Sequence, residues 1–423
     1  MNNFNEYLTD LKKLISYKSV LENAKENAPF GIAIKNCLDF FLERAREMGF
    51  ETINYDNYAG EVVFGKGEEV GIIGHLDVVP IGIGWETDPF ALTEKDGIYY
   101  GRGLSDDKTP LLTCLYVLKE LKDSGKPVNK KFRLIVGCDE ESGWRDIDYL
   151  QTKTDLPEFG FSPDGNFPLT YAEKGIVEVS FSFPKLKHFT DIKGGSVVNA
   201  VCDYATARPL NENIDVEKLK KYNLSINDEG LIVSKGKSAH GSMPHLGKNA
   251  LLPLFEYFLS MGEDVKKVLD YLFYDKANLK DIKTEQGALT LSPDLISQDK
   301  DTITITCDCR IPAPLSLQEI LPIFSSFGLE LKTKVRHEPM MVEKNGWFVQ
   351  TLLNAYNEIT GESAVPLSMG GSTFARAFTK GCSFGPQFDN YDNHLHDANE
   401  NLPKADLIKC YEIYKKAIFD LAK

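Results

Sequence analysis

The chain has 423 residues, 42% of them hydrophobic and 26% charged, which is ordinary for a globular protein and long enough for two hydrophobic cores. Acidic side chains number 62 against 48 basic ones, for a formal net charge of −14, and this argues against a nucleic-acid or anionic-membrane partner. No apolar run reaches the roughly 20 residues of a membrane span, the opening MNNFNEYLTD has no signal-peptide character, and the 8 cysteines are scattered, so a reduced, cytoplasmic protein is expected.

Residues 31–49 place Ile34, Leu38, Phe41, Leu42 and Ala45 on one helical face. EVGIIG (69–74) reads as a short buried strand that delivers His75 and Asp77 at its end. GRGLSDDKTP then carries Asp106 and Asp107 in a glycine-bearing turn. The helix predicted after it, TPLLTCLYVLKELKDSG, has Pro110 near its first turn and Gly125 just past its end. KFRLIVG (131–137) is a second buried strand, followed by Asp139, Glu140 and Glu141. This alternation predicts an α/β sheet with helices on its faces. FSPDGNFP sets Asp164 in a turn rich in proline and glycine.

From about 177 to 335 the character changes. Strands (IVEVSFSF, LIVSKGKS, DTITITCDCRIP) and one or two helices (NALLPLFEYFLS, VKKVLDYLF) predict a separate α+β domain. It lies between two segments of the α/β part, at 1–176 and 336–423. Cys307 and Cys309 share one strand face, where core packing is the expected role rather than metal binding. The last third returns to helix and strand. It carries His394, His396 and Glu400 in NHLHDANE and closes with an amphipathic helix from about Pro403 to Leu421.

Ligands of open α/β sheets gather outside the carboxyl ends of the strands, and here the histidines and carboxylates lie at such ends or in polar turns. Singly, each has a bland explanation: a hydrogen-bonded strand-end histidine, a solvated acidic turn, a simple SPDG turn. Jointly, imidazoles and carboxylates without a cysteine pair suit Zn²⁺, Mn²⁺ or Co²⁺. Two such ions need a shared carboxylate and roughly two further ligands each, and the sequence has enough. Such a pair polarises a carbonyl and lowers the pKa of a bridging water. A carboxylate off the metals can carry the proton from water to the leaving amine.

The stretches GHLDVVP, GRGLSDDKTP, DEESG, SPDGNFP, GKSAHGSMPHLGKNA and HLHDANE resemble the co-catalytic di-metal peptidase family that includes PepV-type dipeptidases, carnosinases, ArgE and DapE. The likeness runs over nearly the whole chain, with the PepV-like, Xaa-His-type branch nearest. It implies a three-layer α/β mixed-sheet catalytic domain with an inserted α+β lid. It further implies two divalent ions per chain, Zn²⁺ first and Mn²⁺ or Co²⁺ as alternatives.

By the same resemblance His75 and Asp164 bind one ion, Glu141 and His396 the other, and Asp106 bridges them. Glu140 is the general base and Asp77 orients His75, while Asp107 is structural and the Asp106–Asp107 bond is cis. In the lid, His240 stabilises the oxyanion. Asn199 and Arg310 hold the substrate, Arg310 by its carboxylate, although a turn residue and a surface cation are the plainer readings of these two. Gly371, Ser372 and Thr373 add amides and a hydroxyl. His188, His245 and His337 match no motif. Thr109 stands where the family commonly has glycine, so a slightly different turn is expected there. The implied activity is hydrolysis of dipeptides with a free C-terminal carboxylate by a monomeric enzyme. An N-acyl-amino-acid deacylase or desuccinylase with the same metals is the alternative.

Overall fold

The computed structural model describes residues 3–211 and 215–423. The chain divides into two compact units, the first formed by Met1–Tyr171, Met341–Leu367 and Thr373–Lys423, the second by Ala172–Met340 with Ser368–Ser372. The fold is the expected α/β catalytic domain with an inserted α+β domain.

In the first unit the strands Lys130–Gly137, Glu68–His75, Phe159–Ser162 and Lys380–Ser383 lie side by side and parallel. Ala59–Gly65 and Glu51–Tyr55 extend this core as an antiparallel edge, which makes the sheet mixed. Parallel strands covered on both faces read as continuous apolar runs, and Val70, Ile72 and Ile73, with Leu134, Ile135 and Val136, are at most 1% exposed. Helices Ile32–Glu47 and Lys108–Asp123 cover one face, Leu38 and Leu42 packing over Gly60 and Leu111 over Gly74. On the other face Ile73 and Ile135 form a cluster with Ile147 and Leu150 of helix Arg145–Gln151 and with Phe374 and Phe378. The Phe378 ring lies so close over Gly71 and Gly160 that a Cβ at either would strike it.

Thr109 lies inside helix Lys108–Asp123 and is absent from the residues with positive φ. The position therefore makes no demand for glycine. The closing helix is Lys404–Leu421, and no described helix is long and apolar enough to cross a membrane.

The second unit is built on an eight-stranded sheet in which Thr290–Gln298, Thr302–Ile311, Gly175–Pro184 and Glu330–His337 are consecutive and antiparallel. Val177, Val179 and Phe181 alternate inward along Gly175–Pro184. They oppose Cys309, Cys307 and Ile305, and all join one core with Leu254, Phe255 and Phe258 of helix Leu251–Ser260. Cys307 and Cys309 are thus core side chains. The stretch VKKVLDYLF is not one α-helix: after Lys266–Val268 the chain makes a π-helical turn over Leu269–Phe273, closed by Tyr274 N–H donating to the Leu269 carbonyl at 2.9 Å.

Candidate metal centre

Three neighbouring parallel strands of the first unit end together, and each delivers acid or imidazole groups. His75 is the last residue of Glu68–His75, Glu140 and Glu141 follow Lys130–Gly137, and Asp164 follows Phe159–Ser162. Asp106 precedes helix Lys108–Asp123, joined to Asp107 by a cis peptide bond, and His396 comes from the loop before Asn401–Pro403. Two clusters result, His75 with Glu140 and Asp164, and Asp106 with Glu141 and His396; within each, one ligand atom per residue lies within 4.8 Å of the others.

The tautomer of His75 follows from its partners. Its Nδ1 lies 3.0 Å from the Asp77 main-chain carbonyl, which can only accept, so in the neutral ring, the form that binds a metal, Nδ1 carries the proton and Nε2 the lone pair. Nε2 is 2.9 Å from Asp106 Oδ1, yet both atoms are buried without a hydrogen bond. Two lone pairs facing each other in a dry site are costly, and a shared cation removes that cost. Asp106 Oδ2 is 2.9 Å from His396 Nε2, which is 3.3 Å from Glu141 Oε2. Asp106 therefore turns one oxygen to each imidazole, as a bridging carboxylate does. Four carboxylates and two imidazoles form a donor set that fits two divalent ions.

The electrostatics agree with a site built for positive charge. Burial, with the Asp164, Glu141 and Asp106 carboxylates adding to it, pushes Glu140 well above its ordinary value. Burial and Asp106 lift Glu141 to about 7, against the pull of His396, and burial and Asp106 also raise Asp164, against the pull of His75. Asp106 is held below the usual range, because the His396 and His75 imidazoles against its two oxygens outweigh its burial. The two imidazoles are raised, His75 against its own burial by Asp106, Asp164 and Asp77, and His396 by Asp106 and Glu141 to about 11. Crowded carboxylates that resist ionisation are what cations at such positions relieve.

Residues 71–420 match the model of Peptidase family M20/M25/M40. The chain belongs to this family. It is a hydrolase of the metallopeptidase class. A protein of Staphylococcus aureus (strain MW2) designated a candidate dipeptidase is 33% identical, over 98% of this chain and 97% of its own. Among solved structures, aminopeptidase PepT from Bacillus cereus superposes with a TM-score of 0.63 at 15% identity, covering 100% of this chain and 99% of that one. A dinuclear metal binding peptidase of the M20 family from Bacillus subtilis gives 0.53 at 10% identity, with 99% of each chain covered.

Around the centre of this M20 enzyme several side chains act as supports. Beside its carbonyl contact to His75, Asp77 accepts the main-chain N–H groups of Glu140 at 3.2 Å and Glu141 at 3.1 Å on its two carboxylate oxygens, so one residue orients three. Asp107 Oδ2 accepts the His75 N–H at 3.1 Å, in space left by Gly74, where a Cβ would meet that oxygen. Asp139 faces away and pairs with Arg145, Nε to Oδ2 and Nη2 to Oδ1 each at 2.6 Å. Asp146 Oδ2 accepts the N–H groups of Cys138 at 2.6 Å and Asp139 at 2.9 Å and so frames the acidic loop.

Glu400 is not a ligand. Its carboxylate accepts Arg102 Nη1 at 2.8 Å and the N–H groups of Gly103 at 3.0 Å and Ser105 at 2.9 Å, tying the loop of Asp106 to the loop of His396. Arg102 and Glu400 are each 1% exposed. Sequence reading passed over Arg102 and Asp146; the available signal was charge within a few residues of proposed ligands. Glu400→Ala is expected to cost about 3–5 kcal/mol by leaving Arg102 buried and uncompensated. Urea unfolding reads this directly, and an unchanged midpoint would show that the pair clamps nothing.

The expected substrate residues are also placed, all in the second unit except Thr373, which begins the last segment of the first. The Asn199 carbonyl accepts the Gly241 N–H at 2.7 Å, and Ala200 bridges to His240, which sets Asn199 beside the SAHGS loop. The Ser242 N–H donates to His240 Nδ1 at 3.1 Å, so neutral His240 carries its proton on Nε2. Arg310 is 3% exposed and committed along one edge: Nε and Nη2 each bond Asp308 at 2.7 Å, and Nη1 bonds the Gly370 carbonyl at 2.8 Å. Gly371 and Ser372 are half-buried beside it in sequence. Thr373 is buried, and its Oγ1 accepts the Ala375 N–H at 3.2 Å, capping the short turn Phe374–Ala377.

Proposed function

We propose that this protein is a PepV-like dipeptidase that hydrolyses dipeptides bearing a free C-terminal carboxylate. The observation that carries the reading is Asp106, one oxygen at each imidazole, with Glu140 beside it in a pocket that raises its pKa. The relatives designated as dipeptidases support the substrate class.

His75 and Asp164 would hold one ion, Glu141 and His396 the other, and Asp106 both. When bound, the two ions supply Lewis-acid polarisation of the scissile carbonyl and a lowered pKa for the attacking water. Glu140 takes the water's proton on its carboxylate, holds it, and delivers it to the leaving nitrogen. His240 donates its Nε2–H to the oxygen on which negative charge develops. Arg310, turned by Asp308, presents its remaining Nη hydrogens to the terminal carboxylate. Fixing that carboxylate sets the length of substrate that fits, which favours dipeptides over longer chains.

The test is turnover by metal-stripped protein reloaded with Zn²⁺, Mn²⁺ or Co²⁺, followed by mass spectrometry on dipeptides, tripeptides and N-acyl amino acids. Metal-dependent cleavage confined to dipeptides is expected. Cleavage of N-acyl amino acids alone would replace the reading with a deacylase or desuccinylase.

A further inference from the structure

The second unit holds a buried acid that the chemistry above does not use. Strand Thr290–Gln298 bulges at Asp294, where its register against Thr302–Ile311 slips between Pro293 and Leu295. A bulge re-aims the side chain of the inserted residue. Here the Ser292 hydroxyl donates to Asp294 Oδ1 at 2.5 Å, which brings the carboxyl onto the face of Ser292. Ser292 lies opposite Asp308, and Thr290 opposite Arg310, so the acid joins the face that carries the Asp308–Arg310 pair. The other face, with Cys307 and Cys309, belongs to the core. Asp294 is fully buried, and its Oδ2 has no hydrogen-bond partner.

The charges around this acid decide what it does. Arg310 is positive, and Asp308, bonded to its Nε and Nη2, is negative. Lys174 adds a second positive charge, near enough that burial and Arg310 hold its amine below the usual lysine value. Glu178, opposite Asp308 on strand Gly175–Pro184, is answered by Arg336. The Cys202 and Cys307 thiols are pushed up by burial and stay neutral. Two cations against one acid leave one positive charge, provided that Asp294 keeps its proton. Burial, with the charge of Asp308 adding to it, pushes the Asp294 carboxyl up to about 8, against the Ser292 hydrogen bond. Ser292, Asp308 and Arg310 are no more than 3% exposed, so water screens these charges little.

We propose that Asp294 is a positioning residue for substrate binding that acts through Arg310: protonated, it leaves one positive charge for the substrate carboxylate, and ionised, it cancels that charge. The inference rests on the carboxylate-anchoring role given to Arg310 under the dipeptidase reading. An ionised Asp294 would also compete with the substrate for the same guanidinium, because both are carboxylates in a site of low dielectric. An uncharged side chain at this position keeps the positive charge at every pH.

The test is KM for a dipeptide on the metal-loaded, full-length protein, beside Asp294→Asn and Asp294→Ala. Between about pH 7 and about pH 9 the protonated form falls from about nine-tenths of the protein to about one-tenth, so wild-type KM should rise about tenfold more than that of either variant. The difference should lie in KM and not in kcat. Titration of the substrate and of the metal centre is common to all three proteins and cancels. Wild-type and variant KM values that rise together would overturn the proposal. A wild-type KM that stays flat would do so whether or not either variant folds. The same separation on N-acyl amino acids, in a protein that cleaves no dipeptide, would keep the role of Asp294 and remove only the dipeptidase reading. Turnover of neither substrate class would remove the carboxylate anchor and this proposal with it.

Discussion

Glu140→Gln is expected to lower kcat on a dipeptide by a factor of about 10³ or more while both metal ions stay bound. The substitution keeps size and shape, and the main-chain N–H of residue 140 remains held by Asp77 at 3.2 Å. What is lost is the capacity to accept a proton, and general acid–base groups contribute roughly 10²–10⁴-fold. A group that both takes and returns the proton stands at the upper end of that range. The geometry makes the experiment sharp, because Glu140 clusters with His75 and Asp164 closely enough to be a ligand itself. Metal stoichiometry by mass spectrometry separates the two roles. If one ion leaves together with the activity, Glu140 is a ligand and the base must be sought elsewhere.

Asp106→Ala is expected to abolish binding of both ions and to reduce turnover by more than about 10³-fold. Removing His396 should weaken one ion, whereas Asp106 faces His75 with one oxygen and His396 with the other, each at 2.9 Å. The carboxylates left behind, Glu140, Glu141 and Asp164, are then crowded together without their common bridge, and like charges at this spacing disfavour one another. The measurement is metal content after dialysis against a weak chelator, with the wild type retaining two ions per chain. A variant that keeps one ion at full occupancy would show that Asp106 belongs to a single site. This chelator readout stands even if no substrate is found.

Much of the centre was readable in the sequence because strands of a parallel sheet advertise themselves. EVGIIG and KFRLIVG are continuous apolar runs, so the polar residues following them had to lie at the carboxyl ends, where this class of fold places its ligands. His75, Glu140 and Glu141 are legible in that way, while Asp164 reads only as an acid in a turn rich in proline and glycine. Asp106 and His396 are candidates only as polar groups in turns, and their bridging and ligand roles come from the motif resemblance alone.

Other features were closed to any local reading. Arg102 and Glu400 are 298 residues apart, and no pattern along the chain announces that one buried pair joins two ligand loops. Arg310 reads equally as a surface cation until it is seen buried, with Asp308 and Gly370 holding three of its five N–H groups. Thr373 reads as a substrate hydroxyl, and nothing local announces that its Oγ1 also caps a turn. The π-helical turn at Leu269–Phe273 was invisible because an amphipathic helix pattern tolerates one wider turn.

By itself, then, the sequence determined the element types, the mixed α/β class with an inserted second domain, and the chemical kind of centre. These depend on periodicity and residue type, which are local properties. Only the tertiary structure decided which acids point inward: Glu140 and Glu141 do, while Asp139 turns to Arg145. It also decided which tautomers the histidines hold, and which charges serve as clamps rather than ligands. Those outcomes depend on burial and on partners far away in the chain, where the cost of an unpaired buried charge selects one arrangement among many that the sequence pattern allows.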